Sequence, residues 1–199
     1  MADIPWSTRM QAGFDREWTA GDVLAAQQTS LFRVELLDGI PLMSPLPTLR
    51  HQHVSGVLAD ILRRAVDDSG VGAVPFKSVN VRRGHRDVLR PDIAVVTSTA
   101  AIGALESDAV AFAPEDVLLA AEILSPGHEG ADRIDKPARY AEWNIPSYWI
   151  VDPKTLSIDT YTLDGDVYVA SGSAAPGAVA TLPALTPITL DPGTLLRLW

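Results

Sequence analysis

Val117-Leu118-Leu119-Ala120-Ala121-Glu122-Ile123-Leu124 is an almost unbroken apolar run that carries one acid. A run of this kind marks a strand buried on both faces, as in the middle of an α/β sheet. Ser125-Pro126-Gly127 closes it. A carboxylate buried at Glu122 without a partner would cost several kcal/mol. A metal ion, a basic side chain or a raised pKa must compensate it. The plainer alternatives are a structural salt bridge, or an edge strand with Glu122 turned outward.

Upstream, Val88 to Thr97 reads as a strand, and within it Arg90-Pro91-Asp92 opens the run that continues Ile93-Ala94-Val95-Val96. Pro91 suits the first residue of a strand because it donates nothing to the ladder. Asp92 and Glu122 on adjacent central strands, facing one side, would form a hard-oxygen pocket suited to Mg²⁺ or Mn²⁺. Lys136 opens the helix that follows Glu122, where an ammonium could orient a water or offset charge on a phosphorane. Glu35 is a further candidate acid, although alternation along Val34-Glu35-Leu36 equally allows an ordinary surface residue.

The remaining elements follow from periodicity and turn chemistry. Thr19 to Gln28 reads as a short helix capped by Thr19 or Asp22. Leu31 to Leu37 and Ile40 to Met43 flank Asp38-Gly39, the turn pair of a β-hairpin. Val54, Val57, Leu58, Ile61, Leu62 and Ala65 form one apolar helical face ended by Gly70 and Gly72. Val79 to Arg83 reads as a strand, residues 98–115 as a connection holding at most one short helix, and Asp132 to Trp143 as a helix. Tyr148 to Val151 is a buried strand, and Leu156 to Thr162 with Val167 to Ala170 a hairpin around Asp164-Gly165. The expected organisation is one domain over 1–199, with a leader over 1–18 anchored by Trp6 and Trp18. A packing tail over 171–199 is expected to work through Leu182, Leu185, Leu195, Leu196 and Trp199.

Composition narrows the chemistry. The 199 residues include no cysteine, which removes disulfides, thiolate metal sites and a cysteine nucleophile. There is no run of the ~20 apolar residues that a membrane span needs, and no signal peptide at the start, so a soluble cytoplasmic protein is expected. Net charge is −9, which argues against indiscriminate nucleic-acid binding. The stretch Arg63–Arg90 is nevertheless basic. Arg82, Arg83 and Arg86 cluster around Gly84 as candidate phosphate contacts, or as a solvated face. His51 lies on the apolar face of its helix as a packed residue; His53, His85 and His128 read as loop-borne or exposed, and no pair has zinc-helix spacing. Phosphate-loop, dinucleotide-binding and nucleophile-elbow motifs are absent.

Taken together, these residues resemble the Uma-two family of endonuclease-like proteins in the PD-(D/E)XK restriction-endonuclease-like superfamily, from about Trp18 to the end. The resemblance rests on Val34-Glu35-Leu36-Leu37-Asp38-Gly39 followed by Met43-Ser44-Pro45, and on His51. It continues through Pro91-Asp92, Glu122-Ile123-Leu124-Ser125-Pro126, the helix with Asp132, Lys136 and Tyr140, and Tyr148-Trp149-Ile150-Val151-Asp152-Pro153. It implies a mixed central sheet flanked by helices, with an N-terminal β-hairpin and a C-terminal β-hairpin extension. It also implies Asp92 and Glu122 as ligands of Mg²⁺ or Mn²⁺, Glu35 as a possible additional one, and DNA as substrate. The superfamily's lysine, two residues after the glutamate, is Leu124 here, and Lys136 is the candidate replacement. The alternative is a catalytically inactive nuclease-like module for binding or assembly. A phosphodiesterase acting on RNA or a small nucleotide fits less well, because the aromatics fall mostly in core runs. A homodimer would supply the two sites that duplex cleavage needs.

Overall fold

Asp38 and Gly39 both adopt positive φ, 53° and 79°, as an Asp-Gly hairpin turn requires. They join β1 (Phe32–Leu37) to β2 (Ile40–Pro45) in register from Leu37 against Ile40 to Phe32 against Pro45. The computed structural model describes residues 17–28, 30, 32–125 and 131–198, residue 131 by its backbone only. Trp6 and the leader up to 16, Leu31, Pro126-Gly127, His128 and Trp199 lie outside the described residues. Ahead of the hairpin, α1 (Ala20–Ala26) starts at Thr19, whose hydroxyl accepts from the Asp22 N–H while the Asp22 carboxylate accepts from the Thr19 N–H. This reciprocal box settles which of the two expected residues caps the helix.

The long helix α2 (Leu49–Ser69) is capped by Thr48 and ended by Gly70 in the left-handed conformation. Its buried stripe of Val54, Leu58, Leu62 and Val66 is the face that periodicity marks. Next comes β3 (Ala73–Lys77), a strand without a sequence expectation and with Pro75 at its centre. It sits at the edge of its sheet, where a strand proline is tolerated. β4 (Asn80–Arg83) and β5 (Asp87–Leu89) form a hairpin, and β6 (Ile93–Thr97) follows.

The expected continuous strand Val88–Thr97 is therefore two strands. β5 pairs with β1 and β4, whereas β6 pairs with β3 and β8 (Val117–Ile123). Arg90-Pro91-Asp92 is the point at which the chain leaves one sheet for another; Pro91 and Asp92 carry no ladder there and the strand can turn.

Residues 98–115 hold α3 (Ser98–Glu106), capped by Thr97, and the short β7 (Ala111–Phe112). Beyond β8, residues Ala131–Asp135 wind as a π-turn that passes into α4 (Lys136–Glu142). Then come β9 (Ser147–Val151), β10 (Ile158–Asp164), β11 (Val167–Ala174), β12 (Ala180–Leu182) and β13 (Ile188–Leu190). The mixed sheet runs β11-β10-β9-β8-β6-β3, with β8 and β9 parallel and the other pairs antiparallel. Its crossover is the π-turn and α4, and the C-terminal hairpin extends it at one edge. The N-terminal hairpin belongs instead to a five-stranded sheet, β2-β1-β5-β4-β7. The expected tail is more structured than a tail: β11 runs to Ala174, and β12 pairs with β13.

One face of the six-stranded sheet is covered by α2 and the C-terminal segment, through Leu119, Ile123, Trp149, Leu182 and Leu195 among others. The other face packs against α3, α4 and the five-stranded sheet, through Val96, Ala120, Tyr140, Tyr148, Val81 and Phe112. Glu122 points to this second face, in step with Ala120. Leu58→Ala, under the sheet, is expected to cost about 2–5 kcal/mol. Leu49→Ala, at a position 85% exposed, is expected to stay within about 0.5 kcal/mol. Denaturant unfolding with matched m-values checks both.

Candidate active site

Four carboxylates and two cations are buried together where the two larger sheets and α4 meet. Asp92 stands at the sheet-to-sheet junction, Glu122 on β8, Glu35 on β1, and Asp132 and Lys136 one turn apart on the π-turn and α4. All five are buried, Glu122 to 1% exposure. Arg33, two residues before Glu35, shares its strand face as the pleat dictates.

Lys136 is the hub. Its Nζ lies 3.1 Å from Glu122 Oε1, 3.1 Å from Asp132 Oδ1 and 3.3 Å from Glu35 Oε2. Arg33 bridges the other side, with Nη1 2.6 Å from Asp92 Oδ1, Nε 3.3 Å from Glu35 Oε2 and Nη2 3.9 Å from Glu122 Oε2. Neutral donors complete the shell. Tyr140 donates to Glu122 Oε1 (2.9 Å), the Ile123 N–H to Asp92 Oδ2 (2.8 Å) and the Arg90 N–H to Glu35 Oε1 (2.7 Å). His51 Nε2 is 3.0 Å from Asp92 Oδ2. A carboxylate only accepts, so Nε2 carries the proton there, and Nδ1 is buried with no hydrogen-bond partner among the described residues.

The electrostatics follow from the head count. Fully ionised, the cluster has two more negative charges than positive ones. Burial raises Glu122 more than Lys136 lowers it, and the neighbouring Asp132 and Asp92 add to the rise, so its carboxyl is pushed up to about 8. Burial also raises Asp132. Burial opposes the charge on Asp92 and Glu35 too, but it is outweighed jointly by Arg33 and His51 at Asp92, and by Arg33, Lys136 and the Arg90 N–H at Glu35, so both sit below the usual carboxylate range. Lys136 gains more from Glu122, Glu35 and Asp132 than it loses to burial, so it is held firmly protonated.

The free space among these groups is about 30 Å³, room for a water or a small ion and not for a nucleotide. Ser44, Pro45 and Pro47 line it with the charged groups. Among the described residues no three His, Asp or Glu side chains converge as the ligands of a metal ion. The oxygens are interleaved with the Arg33 and Lys136 donors instead. The donor set nevertheless suits a hard divalent cation, since all four acids offer oxygen. One such ion would cancel the excess charge. A separate cavity of about 700 Å³ lies between α2 and residues 188–198 and contains none of these side chains.

The structure thus brings Asp92, Glu122, Lys136 and Glu35 into one cluster, and Glu35 is buried rather than at the surface. The basic hairpin stands apart. Arg82 is exposed and has no ion-pair partner among the described residues. Arg83 binds the Glu142 carbonyl (3.1 Å), and Arg86 is tied to the Glu17 carboxylate and the Asp38 carbonyl. Sequence reasoning missed Arg33 as a site residue; its place two positions from Glu35 on the same strand was the available signal.

Buried Asp, Glu and Lys thus meet on a mixed α/β sheet at the point where strands part. A family model described as "Putative restriction endonuclease" matches residues 21–193, and the chain belongs to that family, Uma2. Among solved structures it is similar to a "putative nuclease" of the DUF820 group from Anabaena variabilis. The TM-score is 0.61 with 17% identity over 81% of this chain and 88% of that one. No curated protein matches the chain.

The raised Glu122 pKa fixes a pH dependence. Between its unfolded value of 4.5 and about 8, the folded protein holds a proton that the unfolded chain has lost. Stability from this group therefore falls as pH rises across that window and levels off above it. The depressed Asp92 and Glu35 act oppositely, their contribution being lost as pH falls below the ordinary carboxylate range. Thermal melts in EDTA are expected to show lower stability at pH 8 than at pH 5, with a shallower slope in Glu122→Gln.

Proposed function

We propose that this protein is a divalent-metal-dependent endonuclease that hydrolyses DNA phosphodiester bonds. The observation that carries the reading is the excess of buried carboxylates over cations around Lys136. Asp92 and Glu122 would hold Mg²⁺ or Mn²⁺, with Glu35 as an additional ligand. Bound there, the ion would supply positive charge to the scissile phosphate and acidify a water.

The chain's own groups have separable tasks. Lys136, held protonated, cannot act as a general base; its role is to orient the attacking water and offset charge on the phosphorane. Tyr140 fixes the Glu122 carboxylate by donating to Oε1. His51 and the Ile123 N–H fix Asp92 in the same way. Phosphates would approach past Ser44 and Pro45, because the cleft itself is too small for a nucleotide. Arg82 is the best placed of the three arginines to meet the duplex backbone, since Arg83 and Arg86 already have partners. Cleaving both strands takes two sites or two visits, and a homodimer belongs to this reading.

Arg33 favours a second reading. Its guanidinium already bridges Asp92 and Glu35, as expected if the fold serves binding or assembly without catalysis. Mn²⁺ titration followed by electron paramagnetic resonance separates the two, since only the nuclease should bind the ion.

Plasmid incubated with the protein should be nicked or linearised in Mg²⁺ or Mn²⁺ and left intact in EDTA. Glu122→Gln should lower the rate by at least about 100-fold. It is the better test than Asp92→Ala, which strands Arg33 beside an empty position at a cost of about 3–5 kcal/mol. Cleavage that persists in Glu122→Gln would overturn the reading. Arg82→Ala should weaken duplex binding and reduce its salt slope by about 1. Arg86→Ala should change the slope less.

A further inference from the structure

We propose that the hollow between α4 and strands β9, β10 and β11 is a binding site for an unpaired DNA base, an inference that rests on the nuclease reading above. The hollow has a volume of about 190 Å³ and is lined by Arg133, Pro137, Tyr148, Ile150, Tyr161 and Tyr168.

Three tyrosine rings border this space. Tyr148 and Tyr168 are stacked, with centroids 5.5 Å apart and planes at 28°. Tyr161 lies 6.2 Å from Tyr148 at 36°. Two of the rings are locked through their hydroxyls. Tyr148 donates to the Asp132 carbonyl (2.5 Å) and Tyr168 to the Ile145 carbonyl (2.7 Å). The Tyr161 hydroxyl has no hydrogen bond to a described residue, and Tyr161 and Tyr168 are only half-buried. Tyr148 is buried, and the space that reaches solvent lies beside the half-buried Tyr161 and Tyr168.

Planar rings with fixed orientation are the platform on which a base stacks, whatever its identity. The volume falls below the ~300 Å³ at which pockets for larger organic ligands begin, which suits a single base. Arg133 is exposed at the rim and forms no ion pair with a described residue, so a cation waits where the phosphate of that nucleotide would lie.

Placement ties the hollow to the acids. Asp132 and Lys136 turn toward Glu122, and their immediate neighbours Arg133 and Pro137 border the hollow. The Tyr148 hydroxyl holds the Asp132 backbone between the two. A strand crossing this turn can present a phosphate to the cluster and an unpaired base to the tyrosines. The site therefore prefers single-stranded or locally opened DNA, whose bases leave the stack at low cost.

Binding is measured with the full chain in EDTA, where cleavage is silent, by fluorescence anisotropy of a short labelled oligothymidylate. An otherwise identical strand with a central abasic position and a matched duplex are compared with it. Tyr161→Ala should weaken single-strand binding by about 5- to 100-fold, and Tyr161→Trp should restore it. The abasic strand should lose a similar factor with the wild-type protein and nothing further with Tyr161→Ala. In case Tyr161→Ala fails to fold, a 5-iododeoxyuridine strand is photocrosslinked to the wild-type protein, with attachment expected at Tyr161 or Tyr168. Equal binding by folded Tyr161→Ala, crosslinks confined to other segments, or no binding of oligothymidylate by the wild type would each overturn the base site. Metal-dependent plasmid cleavage reports separately on the nuclease. Cleavage with no effect of Tyr161→Ala on binding removes only the base site, and crosslinking at Tyr161 in a protein that cleaves nothing removes only the nuclease.

Discussion

One carboxylate, that of Asp92, ties four parts of the chain together. Oδ1 takes the Arg33 guanidinium from β1; Oδ2 takes His51 from α2 and the Ile123 N–H from β8. Asp92 itself stands where the backbone passes from the five-stranded to the six-stranded sheet. Burying this charge is unfavourable taken alone, and it is tolerated because each oxygen is met by strong donors. The same bonds join β1, α2 and β8 at the place where the two sheets part. The opening between them is where Glu35, Glu122 and Lys136 converge, so the site exists because that junction is charged rather than apolar.

The cluster is also a local departure from stability. Two cations cannot neutralise four acids; burial, with the neighbouring acids adding to it, raises the pKa values of Glu122 and Asp132, while Arg33 and its fellow donors keep Asp92 and Glu35 ionised. Carboxyls of one chemical type are thus sorted by position. Those near Arg33 are fixed anions, and those near the β8–α4 crossover hold their protons to higher pH. Such local inconsistency is where a functional site is expected in an otherwise consistent fold.

Much of this was readable along the chain, and the misses have causes. The Asp38-Gly39 turn, the stripe on α2 and the buried run of β8 each carry a local signal that tertiary structure did not overrule. The division into two sheets carries almost none, because β5 and β6 are both apolar and only Arg90-Pro91-Asp92 separates them. β3 has Pro75 at its centre, which is evidence of an edge strand as much as against a strand. Glu35 stayed ambiguous because alternation assumes one wet face, whereas Val34, Glu35 and Leu36 are all buried. Arg33 carries no signal of its own near the start of a strand. Its role appears only once Asp92, 59 residues away in sequence, is beside it.

Leu124, where the superfamily resemblance would place a lysine, has a physical explanation in the packing. It lies one residue past the end of β8, its N–H donating to the Val151 carbonyl, and is buried against the apolar group that includes Tyr140 and Ile150. A lysine there would have to bury its ammonium in that group or displace it. Lys136 instead reaches Glu122 from the adjoining crossover, and the π-turn just before it sets the phase of Asp132, Lys136 and Tyr140 over the acid. Moving the cation from strand to helix lets the end of β8 stay apolar. The same turn that delivers Lys136 inward carries Arg133 and Pro137 to the border of the tyrosine hollow, so one short segment serves two neighbouring spaces.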